Sequence, residues 1–412
     1  MALIEVQHLK KYFDVPNGTL HAVDDVSFKI EKGTTMGVVG ESGCGKSTLG
    51  TTLIHLQEST GGKILFEGRD VTHLDKKELR TYREDVQIIF QDPYSSLNPR
   101  YNIARTIMEP LEISGRFKSK EEIRREADRI MDLLMQYHSL DIEWGNHDIL
   151  WMGAAAGSKA CIATVVRNNL KYNNTKILEN SYGISLRNLA LFAEKIYPNE
   201  EPMKAALKAI SVMLFKLEGQ VILRNPDYNM TDKLLLHKVN VEKQTVEIDG
   251  TEYAIKEEAF PTVNFDSGDM EDIYQLSEEE EQVMEGLRMA FVNSIRLRQH
   301  IDFLYQRGSM YRIFNGNLLY HGCVPLDESG NLEGVAFSKK RYHGREYLDY
   351  AERIARRAWS KDVRQKDRDF MWYLWCGRKS PLSGRNIKTF ERTYVLDENT
   401  WFEQSNPYYK FV

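Results

Sequence analysis

Two short runs place residue types at spacings that suit phosphate chemistry. Gly40 to Ser47 reads Gly-Glu-Ser-Gly-Cys-Gly-Lys-Ser, which satisfies GxxxxGK[ST]. Glycines there let the backbone fold round an anion, so that successive N–H groups and a helix N-terminus point at phosphates. Gly40, Ser42, Gly43, Cys44 and Gly45 would form that cradle. Lys46 would reach the β and γ phosphates, Ser47 would ligate Mg²⁺, and Thr48 would add a hydroxyl near the α phosphate. The second run is Gly145-Asn146-His147-Asp148. Oxygen and nitrogen donors at a strand-end turn can hold hard or borderline divalent metals next to a phosphate.

Each run needs a framework to aim it. Met36-Gly-Val-Val-Gly40 is a short apolar run of the kind that forms a buried parallel strand, and a helical pattern follows from near Lys46. Before the second run, Ser139 to Trp144 alternates like a strand. The chain as a whole has 412 residues, of which 42% are hydrophobic and 28% charged, enough for two or three packed cores and inconsistent with general disorder. A net charge of -5 gives no general attraction for nucleic acid or anionic membrane, so no nucleic-acid partner is expected. Cys44, Cys161, Cys323 and Cys376 lie far apart without a CxxC pair, which fits free thiols in a reducing cytoplasm. The opening residues lack a secretory pattern, and no apolar run reaches the length of a membrane span. The expected location is cytoplasmic, or peripheral at the inner face of the plasma membrane.

The surroundings of the first run resemble the ATP-binding subunits of ABC importers, closely the oligopeptide and dipeptide branch. The likeness rests on LKKYF, AVDDVSFKIEKG, GVVGESGCGKSTLG and QIIFQDPYSSLNPR, and covers residues 1 to about 134. It implies Mg-ATP as ligand, Phe13 or its neighbour Tyr12 stacked on adenine, and Gln91 as the glutamine that touches Mg²⁺ and couples to a membrane permease subunit. Downstream there is no LSGGQ-type signature, no apolar run ending in Asp-Glu and no switch histidine; Leu382-Ser383-Gly384-Arg385 is a decoy in the wrong context. The strand missing with them would have covered the phosphate-loop strand. Exposing four or five Val or Ile side chains at ~1.5 to 3 kcal/mol each would forfeit roughly 6 to 15 kcal/mol, as much as the ~5 to 15 kcal/mol that holds a whole domain.

From about Ala127 to Val412 the chain is similar to the class III fructose-1,6-bisphosphatases, a group built on the calcineurin-like metallophosphatase fold. WGNHDILWMGAAAGS, VVRNNLKYNN, LENSYGISLRNL, YLWCGRKSPLSGRN and TFERTY carry the likeness. It implies phosphate release from fructose-1,6-bisphosphate with Mn²⁺ or Mg²⁺. By the same resemblance Asn146 would ligate a metal, His147 would protonate the leaving alkoxide, Asp148 would orient that imidazole, and His321 would be a second metal ligand. The family's early Asp-x-His and Gly-Asp-x-x-Asp-Arg motifs would fall before Tyr137 and its final Gly-His-x-Pro motif after residue 412, so tight dinuclear metal binding is not expected.

Together these features give an α/β chain: a truncated P-loop ABC ATPase segment over 1–126, a junction helix over 127–136 suited to both families, and an incomplete calcineurin-like metallophosphatase over 137–412 with a helical insertion at about 180–300. The junction belongs to a helix expected from Ser119 to Met135, with Ile123, Ala127, Ile130 and Leu134 on one face. The acidic run Asp269 to Glu285 reads as a solvated helix start, and the basic stretch Arg353 to Arg368 as a helix's wet face. Three functions follow: a fructose-1,6-bisphosphate 1-phosphatase by parentage of the larger part, inactive for want of metal ligands; an ATP-binding subunit of a peptide transporter; or a non-catalytic chimera made by a crossover within the junction helix, in the genome or in sequence assembly.

Overall fold

The computed structural model describes residues 2–16, 18–41, 43–89, 103–137, 140–256, 258 and 260–411. It divides into two compact units, Met1–Gln136 and Tyr137–Val412.

In the first unit, β1 (Ala2–Val15) and β2 (Gly18–Glu31) form a long antiparallel pair running from Val15↔Gly18 to Ala2↔Glu31. β3 (Gly61–Phe66) joins the other edge of β1, and β4 (Arg69–Asp70) completes the order β2-β1-β3-β4. Val6, Leu9, Val23 and Ile64 gather in a small core with Val71 and Tyr82, and the irregular register between Val6 and Leu9, with His8 at φ 49°, lets both residues of β1 be buried there. Helix α1 (Lys46–Leu53) packs beside it, tied by the Tyr82 hydroxyl donating to the Leu53 carbonyl at 2.9 Å. Helix α2 (Lys76–Asp85) starts from a reciprocal cap: Asp75 accepts from the Lys77 and Glu78 amides, and Glu78 accepts from the Asp75 amide. Helices α3 (Ile103–Ser114) and α4 (Lys120–Leu134) follow. Ser119 caps α4 by accepting from the Glu122 amide, and Ile123 and Ala127 are buried while Leu134 is exposed.

The buried strand expected over 36–40 is not formed. Residues 35–41 carry no regular structure and 34–41 are exposed, Val39 by 93%; Ile89, in another stretch without regular structure, is 92% exposed. Among the described residues no strand pairs with this run, so its amides have no ladder to join and its side chains no opposing face.

The second unit is built round one continuous core that includes Trp144, Ile149, Ile162, Val166, Met213, Leu214, Met371 and Trp372. Helix α5 (Asn146–Ala155) and helix α6 (Lys159–Lys171) meet at a bend of 119°. Small residues allow that bend to close tightly, for a Cβ on Gly153 would come 2.7 Å from the Cys161 sulfur. Helix α7 (Arg187–Ile196), the long helix α8 (Pro202–Arg224), helix α9 (Glu278–Asn293) and helix α10 (Ile295–Arg307) pack in the same core, as do α11 (Gly344–Ala358) and α12 (Gln365–Cys376). No single helix is long and apolar enough to cross a membrane; α5 with α6 has the length and composition only as a bent pair, and it lies in this core.

Strands here are short. β5 (Ile142–Glu143) pairs in parallel with β9 (Gly308–Ser309), so the strand expected over 139–144 is two residues long, with Ser139 outside the described residues. β6 (Val239–Asn240), β7 (Thr245–Ile248) and β8 (Thr251–Ala254) form an antiparallel sheet inside the span of about 180–300 expected to be a largely helical insertion. β10 (Tyr311–Phe314) and β11 (Asn317–Tyr320) make a hairpin. The broad sheet of a calcineurin-like fold is not found among the described residues.

Two charge expectations need correction. Glu280, inside the acidic run, is buried with Lys216 in an ion pair of 2.7 Å; the Thr262 hydroxyl donates to Glu280 and the Thr262 carbonyl accepts from Lys216. Solvation holds for its exposed neighbours and fails at the position that caps α9. The basic stretch also does structural work: Arg356 donates to the carbonyls of Tyr305 and Gly308, Arg368 to that of Ala156, and Arg357 and Arg364 flank the buried Asp367. All four cysteines are free thiols, Cys44 exposed and the others buried.

Candidate functional site

In the first unit the phosphate loop leads into α1 through Gly45, whose φ of 90° and close approach to the Ala22 carbonyl leave no room for a Cβ. Lys46 folds back over the loop, its Nζ donating to the carbonyls of Gly40 (2.8 Å) and Glu41 (2.6 Å). Gly43 has φ 85°, and the Cys44 amide donates to the Glu41 carbonyl at 3.3 Å. Ser47 is exposed, while Thr48 lends its carbonyl to the hydroxyls of Thr51 and Thr52. Ser42 and Gln91 lie outside the described residues. The aromatic pair is not a free adenine platform. Tyr12 stacks on His21 across the β1–β2 ladder (3.9 Å between centroids) and its hydroxyl donates to Asp24; Phe13 carries the Lys11 ammonium at 4.8 Å. Cross-strand register, Tyr12 opposite His21, dictates that partner.

In the second unit the site is built where two strand ends meet. Gly145 closes β5 and serves as the N-cap of α5, which begins at Asn146. His321 follows β11, and the chain is held there by the Cys323 amide on the Pro381 carbonyl (3.1 Å). A Cβ on Gly145 would touch the His321 ring at 3.1 Å and the Asp148 carboxylate at 3.3 Å, so this glycine is what lets the two side chains converge. Asp148 does not hydrogen-bond the imidazole as expected. Its carboxylate accepts the Gly145 amide at 2.8 Å and caps the helix, which is the geometry a third helical position favours. Asn146 Oδ1 accepts from the His147 amide at 3.0 Å. The His147 ring packs edge-on against Trp375 (4.9 Å, 67°). Much of that ring meets solvent, yet the cavity walls lower its pKa by desolvation; the nearby His321 adds to the effect and Asp148 opposes it.

Asn146, His147 and His321 open onto a cavity of about 430 Å³. Its other walls carry Arg167 and Lys171 from α6, Glu218 from α8, Arg385, and Arg392 from helix α13 (Thr389–Tyr394). Arg167 is 6% exposed and donates to the hydroxyls of Ser211 (3.1 Å) and Thr393 (2.7 Å). Glu218 is pushed up to about 7 by burial, against the pull of Lys233 and Arg167.

A family model described as Firmicute fructose-1,6-bisphosphatase matches residues 122–412, and one described as ABC transporter matches residues 23–172. The chain belongs to the Firmicute fructose-1,6-bisphosphatase family. It is 44% identical over 307 residues to the class 3 fructose-1,6-bisphosphatase 1 of Clostridium beijerinckii, covering 69% of this chain and 46% of that one. To the class 3 enzyme of Ligilactobacillus salivarius it is 40% identical over 332 residues, covering 75% of this chain and 50% of the relative. The chain therefore spans about half the length of the curated relatives it matches. Among solved structures, an ATP-binding cassette in a post-hydrolysis state bound to ADP and Pi is 23% identical, covers 33% of this chain and 58% of its own, and has a TM-score of 0.29. The molecule is thus mixed α/β, with an ABC-type segment before its fructose-bisphosphatase region.

Membership in that family implies divalent metal, and the donors present do not fit a two-metal centre. Among the described residues there is no group of three or more His, Cys, Asp or Glu side chains placed to hold an ion. Asn146 Oδ1 and Asp148 Oδ2 each accept from a local backbone amide. Sequence reasoning brought Asn146, His147 and His321 together and missed the cationic wall. Arg167 and Lys171 sit four apart on α6, where Arg167 follows the apolar run Ile162 to Val166, interrupted by Thr164, and is buried, while Lys171 is exposed. Ser383 and Arg385, set aside as part of a decoy, line the cavity.

Proposed function

We propose that the second unit is the sugar-phosphate-binding part of a fructose-1,6-bisphosphate 1-phosphatase, and that this chain binds the sugar bisphosphate without turning it over. The observation that carries the reading is the convergence of Asn146, His147 and His321 on one cavity large enough for a sugar phosphate. Hydrolysis of a phosphomonoester asks for stabilisation of both the attacking and the leaving oxygen. Asn146 and His321 alone are too few donors for that, whichever of Mn²⁺ or Mg²⁺ is supplied. The expected result is measurable binding of fructose-1,6-bisphosphate by the full chain and no phosphate release with either ion. Single-turnover phosphate release that His147→Ala abolishes would overturn the inactive half of this reading.

A second reading concerns the first unit alone. The Lys46 ammonium held against the Gly40 and Glu41 carbonyls, at the start of α1, supports a nucleotide site that Mg-ATP opens by taking over the lysine. ATP affinity lost in Lys46→Ala is the expected outcome; equal affinity in both proteins removes the reading. Its transporter setting, a permease partner at the inner membrane face, stands or falls with co-purification of such a subunit. The chimera reading is tested by amplifying genomic DNA across codons 110 to 160: one contiguous product supports a real fusion, and two separate parent genes reject it.

A further inference from the structure

The hairpin of β10 and β11 is a two-stranded sheet with exposed apolar side chains on both faces. Ile313 and Leu318 share one face, Phe314 and Leu319 lie on the other, and the four are 44% to 62% exposed. A lone two-stranded ribbon is marginal in water, and three or more strands are needed for independent stability. The turn fixes which backbone groups are free. Asn315 and Gly316 have φ 49° and 77°, a two-residue turn that makes Phe314 and Asn317 a hydrogen-bonded pair. Bonded pairs alternate along an antiparallel ladder, so Leu318 and Tyr320 turn their amides and carbonyls away from β10. Among the described residues no strand takes them up. The backbone just before β10 is treated differently. Arg356 of α11 donates to the Gly308 carbonyl at 2.8 Å and Glu352 accepts the Met310 amide at 3.1 Å, so side chains stand where a further strand would pair. β11 has no such cover, and Asn317-Leu318-Leu319-Tyr320 carries neither the charge nor the proline that discourages edge pairing.

We propose that β11 pairs antiparallel with β11 of a second copy of this chain, about a twofold axis through Leu319, to give a four-stranded sheet. The strand is complementary to itself in that register. Leu318 of each copy meets Tyr320 of the other, an aliphatic–aromatic pair that exchanges both backbone bonds, and the two Leu319 side chains meet on the opposite face. Every opposed residue is uncharged, so the twofold brings no like charges together at the strand although each chain has a net charge of -5. A pairing of four residues buries far less than the ~1,200 to 2,000 Å² of a stable interface, so the dimer is weak and exchanges with monomer.

The test is sedimentation equilibrium of the full chain across the micromolar range, for the native sequence and for Leu319→Lys, with amide hydrogen exchange read at Leu318 and Tyr320. Leu319 is exposed, so the variant should keep its fold, which far-UV circular dichroism checks. The native chain is expected to move from monomer towards dimer as concentration rises, and Leu319→Lys to stay monomeric, because two ammonium groups would face each other. A second pair of variants keeps the register testable. With the exposed thiol removed by Cys44→Ser, Leu319→Cys should give a disulfide-linked dimer under mild oxidation and Asn317→Cys should not, since only residue 319 lies opposite itself. A native chain that is monomeric throughout, a dimer that survives Leu319→Lys, assemblies larger than a dimer, or equal cross-linking at 317 and 319 would overturn the pairing. So would slow exchange at Leu318 and Tyr320 in the dilute monomer, which would mean that the edge is covered within one chain.

Discussion

Replacing Glu218 by Gln removes a proton-binding group from the cavity wall while keeping its size and its hydrogen-bonding edge. In the folded chain burial pushes the Glu218 carboxyl up to about 7, against an ordinary value of 4.5, even though Lys233 and Arg167 pull it down. Between those two values the folded state keeps a proton that the unfolded chain has released. The contribution to stability is therefore fully present below the ordinary carboxyl value and lost as pH rises through about 7. The whole gap corresponds to about 3 kcal/mol, and about 2 kcal/mol of it falls between pH 5 and pH 8. In Glu218→Gln that part of the pH dependence disappears, so the variant gains on the native chain by about 2 kcal/mol over that interval. Urea unfolding followed by tryptophan fluorescence reads this directly. All six tryptophans lie beyond residue 143, so the signal reports the second unit alone. Stability curves for the two proteins that run parallel from pH 5 to pH 8, within about 0.5 kcal/mol, would show that Glu218 is ionised in the folded state and that its burial has been misjudged.

Glu280→Gln leaves the Lys216 ammonium buried opposite a neutral group and is expected to cost about 3–5 kcal/mol in the same unfolding assay; adding Lys216→Met should recover part of the loss. Gly45→Ala forces a side chain into a backbone at φ 90° and against the Ala22 carbonyl, so faster amide hydrogen exchange at the start of α1 is the outcome to look for. Val39→Lys and Ile89→Lys act on side chains that are already exposed, and each should change stability by less than about 0.5 kcal/mol while lowering aggregation measured by light scattering.

How far the sequence carried the fold differs between the two units for a physical reason. Local signals were legible wherever they act locally. The helix expected from Ser119 to Met135 and the start of α1 near Lys46 depend on residues within a few positions of each other. The Met36–Gly40 run was misread because an apolar strand is stable only beside a partner, and the described residues supply none. Glu280 was misread for the opposite reason: its partner, Lys216, is 64 positions away and no local pattern announces it. At the site, Asn146, His147 and His321 were legible through residue type and motif. Glu218, Arg385 and Arg392 were not, since each enters the cavity from a different element and only the packing of α6, α8 and α13 brings them to one wall.

That packing also separates two properties that usually travel together in an enzyme. Affinity for a phosphorylated sugar needs a cavity and cations, and residues of the second unit provide both: Arg167, Lys171, Arg385 and Arg392 round about 430 Å³. Acceleration needs groups that interact more strongly with the transition state than with the bound sugar. Among the described residues the strand ends that bring side chains to this cavity are those after β5 and β11, and Asn146 Oδ1 and Asp148 Oδ2 accept from backbone amides. On the function proposed for this unit, such a cavity would bind a phosphorylated sugar without lowering the barrier to its hydrolysis. That reading expects hydrolysis to appear only with new donors at the mouth beside His147 and His321, and a stronger cationic wall to raise affinity alone.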